Sequence, residues 1–133
     1  NSDLIDSVKE NWAKYTLREE IRIALHRKAF DTAMELVEQY KTMANPENNP
    51  KDMKRVHRLM GIMHLEQGDY TTAIDHFQQA DMDHPFDLYH LGVAESKSGN
   101  ETKAKDLFNN VANWNEHSVR YAFVRPKAMA MLK

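Results

Sequence analysis

The chain has 133 residues and no cysteine, and its 18 Lys and Arg against 20 Asp and Glu give a formal net charge of −2. This length suits one domain, and the lack of cysteine excludes disulfides and cysteine-ligated zinc or redox sites. The small net charge argues against a general surface for nucleic acids or anionic membranes, and no apolar run approaches the roughly 20 residues that span a bilayer.

The first predicted element is a helix over residues 1–15. Apolar side chains follow Ser2-Asp3 at helical spacing, at Leu4, Ile5, Val8, Trp12 and Tyr15. We expect this helix to pack on the segment that follows it. The chain starts at Asn1 without an initiator Met, so we also expect one module of a longer protein. The compartment stays open, with the cytoplasm favoured for a soluble chain.

Residues 16–44 predict a first helical hairpin. Thr16 and Glu19 have the spacing of a capping box, which indicates a helix start. The apolar periodicity then predicts its two helices over residues 17–27 and 30–43. The following segment, Asn45-Pro46-Glu47-Asn48-Asn49-Pro50, is rich in turn-forming residues and predicts a loop.

Two further hairpins are predicted over residues 52–84 and 85–113. Their four helices are expected over residues 52–67, 70–82, 87–98 and 101–112. In each hairpin a glycine ends the first helix as a left-handed cap, and a polar residue caps the next one. These pairs are Gly68-Asp69 and Gly99-Asn100.

Residues 116–132 predict a C-terminal capping helix that covers the open face of the third hairpin. Pro126 lies inside this segment, so we expect the helix to be kinked or broken there. The apolar side chains of this segment include Val119, Ala122, Phe123, Ala128 and Met131.

An internal repeat relates the hairpins to one another. Gly61 and Gly68 are seven residues apart, as are Gly92 and Gly99, and Ile21 and Lys28 occupy these positions in the first hairpin. The matching residues that follow are Ala73, Phe77 and Ala80 in one unit and Ala104, Phe108 and Val111 in the next. We expect each first glycine to face an alanine of the paired helix, Gly61 with Ala73 and Gly92 with Ala104, so that the helices approach closely.

Residues 17–112 resemble the tetratricopeptide repeat (TPR) family, whose signature sets Leu-Gly, Ala, Phe, Ala and Pro at fixed offsets. The matching residues are Met60-Gly61, Ala73, Phe77, Ala80 and Pro85 in the second hairpin, and Leu91-Gly92, Ala104 and Phe108 in the third. The resemblance implies an all-α fold, a right-handed superhelical array of antiparallel hairpins in a single domain over residues 1–133. About three repeats would lie between an N-terminal helix and a C-terminal capping helix. Gly61 and Gly92 are 31 residues apart, against about 34 in the family, so the local twist is expected to differ.

The resemblance also implies a function, because TPR arrays bind an extended peptide or a partner helix in the concave groove lined by the first helix of each unit. Carried over by position, the groove residues are Arg18, Arg22, Arg55, Arg58, Ile62, Leu65, Phe86, Tyr89 and Val93. We hypothesise that the arginines bind an acidic peptide or a C-terminal carboxylate and that an apolar side chain docks near the aromatic residues. The alternative is that the arginines pair with neighbours such as Glu19 or Asp52 and that the C-terminal helix buries the aromatic residues.

Two groups of residues suggest metal binding. His57 and His64 are seven residues apart on one predicted helix, about 10.5 Å along its axis, which is too far for a single ion. We therefore interpret them as packing residues between helices. The segment Asp81-Met82-Asp83-His84-Pro85 is interpreted as an acidic turn between repeats rather than as a metal loop.

The sequence has no phosphate-binding glycine loop, zinc-protease motif or nucleophile elbow. We therefore expect no enzyme activity, no cofactor and no metal. The favoured function is a protein-protein interaction or scaffold module. A structural or self-association module, using the Trp12 helix or Met129, Met131 and Leu132, is the alternative, and an RNA-binding repeat is disfavoured by the net charge.

Overall fold

In a computed structural model, the described residues are 2–44, 47, 49–114 and 119–133, and they form seven helices and no strands. The helices are α1 (Ser2–His26), α2 (Phe30–Met43), α3 (Lys51–Glu66), α4 (Tyr70–Gln79), α5 (Pro85–Lys97), α6 (Glu101–Ala112) and α7 (Val119–Met131). The all-α prediction is confirmed for this part of the chain. Asn45, Pro46 and Asn48 of the predicted loop, and residues 115–118 at the start of the predicted C-terminal helix, lie outside the described residues. None of the seven helices combines the length and apolar character needed to cross a membrane.

The helices pack in the order of the chain. The three hairpins α1–α2, α3–α4 and α5–α6 have the most extensive contacts, and each helix also contacts the next one. In addition α1 touches α3, α3 touches α5, and α5 touches α7. The odd-numbered helices therefore form a continuous row, which is the arrangement expected of stacked helical hairpins.

The first helix of each hairpin ends with the same backbone geometry. The N–H of one residue bonds a carbonyl three residues back, and the next N–H bonds a carbonyl five residues back, as in a Schellman cap. The residues with positive φ at these turns are Lys28 (58°), Gly68 (79°) and Gly99 (91°). The predicted glycine caps are confirmed, and the first hairpin keeps the same turn although it has a lysine there.

The residues after these turns differ in how they cap. Asp69 accepts a hydrogen bond from the N–H of Thr72 at 3.3 Å, as predicted for an N-cap. Asn100 is the N-cap residue of α6, as predicted, but its side chain makes no capping bond to the helix. Its amide donates instead to the carboxylate of Glu95 at 2.6 Å. Glu95 is buried, and a buried carboxylate requires a donor.

The close approach inside each hairpin is between a glycine and a phenyl ring. A Cβ atom built on Gly61 would stand 2.7 Å from the ring of Phe77, and one on Gly92 would stand 2.7 Å from the ring of Phe108. The sequence analysis expected these glycines to face alanines; the nearest side-chain atoms belong to the two rings. The ring lies directly over the glycine because the missing side chain leaves the space that the ring fills.

The predicted helix boundary at Thr16 is also wrong. α1 runs without interruption from Ser2 to His26, and the Thr16 hydroxyl donates to the carbonyl of Trp12 at 3.0 Å. No glycine or proline interrupts this stretch, so the helix continues and the hydroxyl bonds inside it. Residues 2–12 are all exposed, so the N-terminal half of α1 does not pack on the first hairpin as expected.

The C-terminal helix packs on α5 and α6 and continues through Pro126. It buries Tyr121, Val124 and Ala128, whereas Phe123 and Met131 are exposed. Ala122 is exposed as well, and the side chain of Val119 lies outside the described ones. Both faces of α7 carry apolar residues, so the hairpin on which it packs decides which one is buried.

Candidate interaction groove

The row of odd-numbered helices brings the four predicted arginines together. Arg18 and Arg22 from α1 and Arg55 and Arg58 from α3 line one surface depression of about 230 Å³, beside Leu59. Each pair comes from a single helix face, since residues three or four apart are neighbours on a helix. The sequence prediction of one arginine stripe per hairpin thus corresponds to a single cluster in space.

Two further depressions adjoin this arginine cluster. The first, of about 780 Å³, shares Arg22 and is also lined by Leu25, His26, Lys28, Ile62 and Glu66. The second, of about 470 Å³, shares Arg55 and Arg58 and is also lined by Lys51, Lys54, Asp81 and His84. Because they share arginines, the three depressions form one strip, which we call the basic groove. Seven Lys and Arg side chains line the basic groove, whereas two carboxylates, Glu66 and Asp81, do so.

Three of the arginines have partners that leave them partly accessible. Arg22 pairs with Glu19 at 2.8 Å, and both side chains are about 40% exposed. Arg55 pairs with Asp52 at 3.2 Å while remaining 33% exposed. Arg18 donates to the hydroxyl of Tyr40 at 3.4 Å and is half-buried. An exposed ion pair such as Arg22–Glu19 is worth about 0–1 kcal/mol, so the Arg22 guanidinium is exchangeable. Arg55 is bonded to a buried carboxylate but keeps a third of its side chain accessible.

Arg58 has a different environment. It is buried and donates two hydrogen bonds to the carboxylate of Asp87, one of them at 3.0 Å from Nη2 to Oδ2. Asp87 is fully buried in α5 and also accepts from the backbone N–H of Asp81 at 3.0 Å. This two-pronged pair ties α3 to α5 and forms part of the wall of the groove.

A second buried carboxylate ties the first hairpin to α3. Asp52 accepts from Lys14 at 2.9 Å and from the hydroxyl of Tyr40 at 3.1 Å, and all three side chains are buried. Burial alone would raise the pKa of Asp52, but the hydrogen bonds from Lys14 and Tyr40 and the charges of Lys14 and Arg55 lower it below its ordinary value. Asp52 therefore carries a negative charge beneath the arginine cluster and holds Arg55 in place.

The apolar residues predicted for the groove divide into two groups. Ile62 lines the depression beside Arg22, and Leu65 is half-buried against the core of the second hairpin. Phe86, Tyr89 and Val93 are half-buried against the core cluster to which the C-terminal helix contributes.

Two of these side chains have specific neighbours. The Arg58 guanidinium lies 5.4 Å from the ring centroid of Phe86, so this ring borders the arginine cluster. Tyr89 packs on Phe108 with ring centroids 5.9 Å apart, and burial raises the pKa of its hydroxyl. Phe86 is thus the aromatic residue nearest to the basic groove, and Tyr89 belongs to the packing of the third hairpin.

The histidines of α3 lie at the α3–α4 contact together with a residue that the sequence analysis missed. Nδ1 of His57 lies 3.1 Å from Nδ1 of His76 in α4, and the ring of His64 stacks on that of His76 at 5.5 Å. Within the described ranges, no three His or carboxylate side chains are grouped so as to hold a metal ion. The histidines have the position of packing residues, and the 3.5 Å contact of His64 with Asp69 links them to the helix cap.

Comparison with known proteins finds no family model, no curated protein and no solved structure that matches this chain. The functional inference therefore depends on the geometry and charge of the groove. Sequence reasoning found its arginines but missed Asp87, the partner of Arg58. The available signal was a single carboxylate in the otherwise apolar segment Pro85-Phe86-Asp87-Leu88.

Proposed function

We propose that the chain is a TPR-like array of helical hairpins and that its basic groove binds an acidic extended peptide or the C-terminal carboxylate of a partner protein. The observation that supports this most strongly is the convergence of four arginines from two successive hairpins on one depression. Guanidinium groups pair with carboxylates through two parallel hydrogen bonds, and a cluster of them favours an acidic ligand. The module itself is non-catalytic in this proposal.

The arginines have separate roles in the proposed complex. Arg22 contacts the ligand, because its exposed ion pair with Glu19 costs little to replace. Arg55 keeps its bond to the buried Asp52 and contacts the ligand through its remaining N–H donors. Arg58 keeps its bond to Asp87 and shapes the groove wall. Phe86, beside Arg58, offers an apolar contact next to the charged site.

Three features support the proposal of a TPR-like array, which in that family is a right-handed superhelix. The same turn closes the first helix of every hairpin, the odd-numbered helices touch in succession, and the glycine–phenylalanine contact recurs in two hairpins. Each is what a stack of equivalent units requires. In such an array the first helices line the concave side, which is where the arginines lie.

A random peptide display library tests the proposal without knowledge of the natural partner. The library is selected on the wild-type chain and on the double variant Arg22→Glu/Arg55→Glu. We expect the wild type to enrich peptides rich in Asp and Glu or ending in a free carboxylate, and the double variant to lose at least about tenfold in affinity for them. Binding should also weaken with added salt, because exposed charge pairs are screened.

The matched control is Arg27→Glu, which reverses an exposed arginine directly after α1 and outside the lining of the basic groove. This variant should bind the selected peptides as the wild type does. Equal peptide affinity in the wild type and the double variant, with circular dichroism showing both folded, would contradict the proposed site.

A further inference from the structure

Arg18 differs from the other arginines of the basic groove in its partners. Arg22, Arg55 and Arg58 each form an ion pair with a carboxylate, whereas none of the ion pairs between described residues includes Arg18. Its Nη1 donates to a neutral group, the hydroxyl of Tyr40, at 3.4 Å. A ligand carboxylate bound to Arg18 would therefore displace no acidic side chain of the protein.

The hydroxyl of Tyr40 connects Arg18 to a charge held inside the fold. Tyr40 is a fully buried residue of α2, and no α2 residue lines the three depressions of the groove. The hydroxyl donates to Oδ1 of Asp52 at 3.1 Å, and the same oxygen accepts from Arg55 at 3.2 Å. Three hydrogen bonds thus lead from Arg18 in the first hairpin to Arg55 in the second, and both arginines line one depression.

The buried part of this network is held in place by its need for hydrogen bonds. Asp52 accepts from Lys14 at 2.9 Å as well as from Tyr40, and all three side chains are buried. Among the described residues, every buried side-chain polar atom has a partner. Turning the Tyr40 hydroxyl away from Asp52 would leave a buried polar group unpaired, which costs free energy. The hydroxyl oxygen therefore stays beside Arg18.

We propose that Arg18 is the primary anchor for the ligand carboxylate and that Tyr40 is the positioning residue that presents Arg18 to it. This inference rests on the proposed function, because it assigns the anchor within the same groove. The carboxylate binds the N–H groups of Arg18 that Tyr40 leaves open and lies in the depression that Arg55 also lines. Tyr40 itself does not touch the ligand.

A hydroxyl suits this role because it orients a guanidinium without neutralising its charge. The guanidinium has five N–H donors, and Tyr40 takes one of them. A second neutral group also borders Arg18, since its guanidinium carbon lies 5.9 Å from the ring centroid of Tyr15. A side chain that is ordered before binding loses less conformational freedom when the ligand binds.

Tyrosine-to-phenylalanine substitutions test the positioning role. Tyr40→Phe removes the hydroxyl but keeps the buried ring, and Asp52 retains its bonds to Lys14 and Arg55. The probe is the acidic peptide that binds most tightly in the display selection, and its affinity is measured by fluorescence anisotropy. We expect Tyr40→Phe to lower this affinity at least about fivefold. Tyr15→Phe is the matched control, because it removes a hydroxyl from the other tyrosine beside Arg18 and keeps the ring that Arg18 contacts, so it should bind as the wild type does.

A double-mutant cycle with Arg18→Gln separates positioning from a general effect on the fold. Tyr40→Phe should lower the peptide affinity when Arg18 is present and change it less than about twofold when Arg18→Gln is present. A loss by the same factor in both backgrounds would show that Tyr40 acts through the fold rather than through Arg18, and would overturn its positioning role.

Two further outcomes distinguish the anchor from the proposed function on which it rests. An Arg18→Gln variant that binds the acidic peptide as tightly as the wild type would overturn the anchor and leave the peptide groove in place. A wild type on which no acidic peptide can be selected would overturn the groove and its anchor together.

Discussion

Lys28 shows how a single residue can keep the geometry of a repeat while departing from its sequence. It has φ of 58°, close to the values at Gly68 and Gly99, and it makes the same pair of backbone closures. For a residue with a Cβ atom this left-handed conformation costs about 1–2 kcal/mol. The first hairpin therefore carries local strain that the other two avoid.

Substitution of Lys28 by glycine should relieve this strain. We expect Lys28→Gly to raise the free energy of unfolding by about 1 kcal/mol, reduced in part by the extra chain entropy of glycine. Urea denaturation measures the change, and Lys28→Ala serves as the control because it removes the charge but keeps the Cβ atom. Equal stability of the glycine and alanine variants would show that the turn is not strained.

At Gly61, packing against Phe77 predicts that even a small substitution lowers the stability of the chain. Gly61→Ala would gain up to about 1 kcal/mol in helix propensity, but its Cβ atom would stand 2.7 Å from the Phe77 ring. We expect a net loss of about 1–2 kcal/mol in the free energy of unfolding, because the ring must move in a packed core. A double-mutant cycle with Phe77→Leu isolates the cause: when Phe77→Leu is already present, Gly61→Ala should be neutral or stabilising. A loss of the same size with and without Phe77→Leu would contradict the ring contact.

Among the elements, α3 and α5 are joined by a buried charge pair that the sequence pattern did not indicate. We expect Asp87→Ala to destabilise the chain by about 3 kcal/mol or more, since it leaves the buried Arg58 without its carboxylate. Thermal and urea unfolding should both report the loss. Asp106→Ala, at an exposed site of α6, is the control and should stay within about 0.5 kcal/mol of the wild type. A loss at Asp87 as small as that at Asp106 would show that the pair does not stabilise the junction.

The α3–α4 contact should be sensitive to mild acid. Burial lowers the pKa of His57 and of His76 below the ordinary 6.5, with the positive charge of Lys41 and, for His76, the other two histidines adding to the effect. The unfolded chain then binds more protons than the folded chain as the pH falls below 6.5, so stability present above this pH is lost on acidification. Asp52, whose pKa is lowered, contributes a separate loss only in stronger acid, below its ordinary value of 3.8.

Urea unfolding at about pH 7.5 and about pH 5, on either side of the ordinary histidine pKa, measures this dependence. We expect lower stability at the acidic pH in the wild type and a smaller difference in His57→Gln/His76→Gln, whose side chains do not titrate. His26→Gln, at an exposed site, should keep the wild-type difference. A double variant with the full wild-type pH dependence would assign the effect to other groups.

The elements differed in how well the sequence predicted them, for physical reasons. The bounds of α2 and α6 agree with the prediction, because both stretches are amphipathic, turn residues follow α2, and turn residues flank α6 on both sides. The boundary at Thr16 failed because a capping pattern inside a long run of helix formers has no breaker to enforce it. The sequence of α7 did not indicate which of its apolar side chains are buried, because that depends on the third hairpin on which it packs.

At the scale of the whole molecule, the basic groove arises from stacking. Arg22 and Arg55 are 33 residues apart in the chain, and the resemblance to TPR arrays, carried over by position, predicted that they share a face. Their partners were harder to predict, because the bond from Arg58 to Asp87 depends on the angle at which α5 meets α3. The positions in the groove were therefore predictable, while the division between exchangeable and fixed arginines required the structure.

The most direct test of the groove is a titration of the ¹⁵N-labelled chain with a peptide from the display selection, followed through the arginine Nε–H resonances. We predict that the signals of Arg22 and Arg55 shift and saturate together, that the Arg58 signal stays protected by its bond to Asp87, and that the Arg27 signal does not move. Saturable shifts in α7, with Arg22 and Arg55 unperturbed, would contradict the account and place the peptide on another surface.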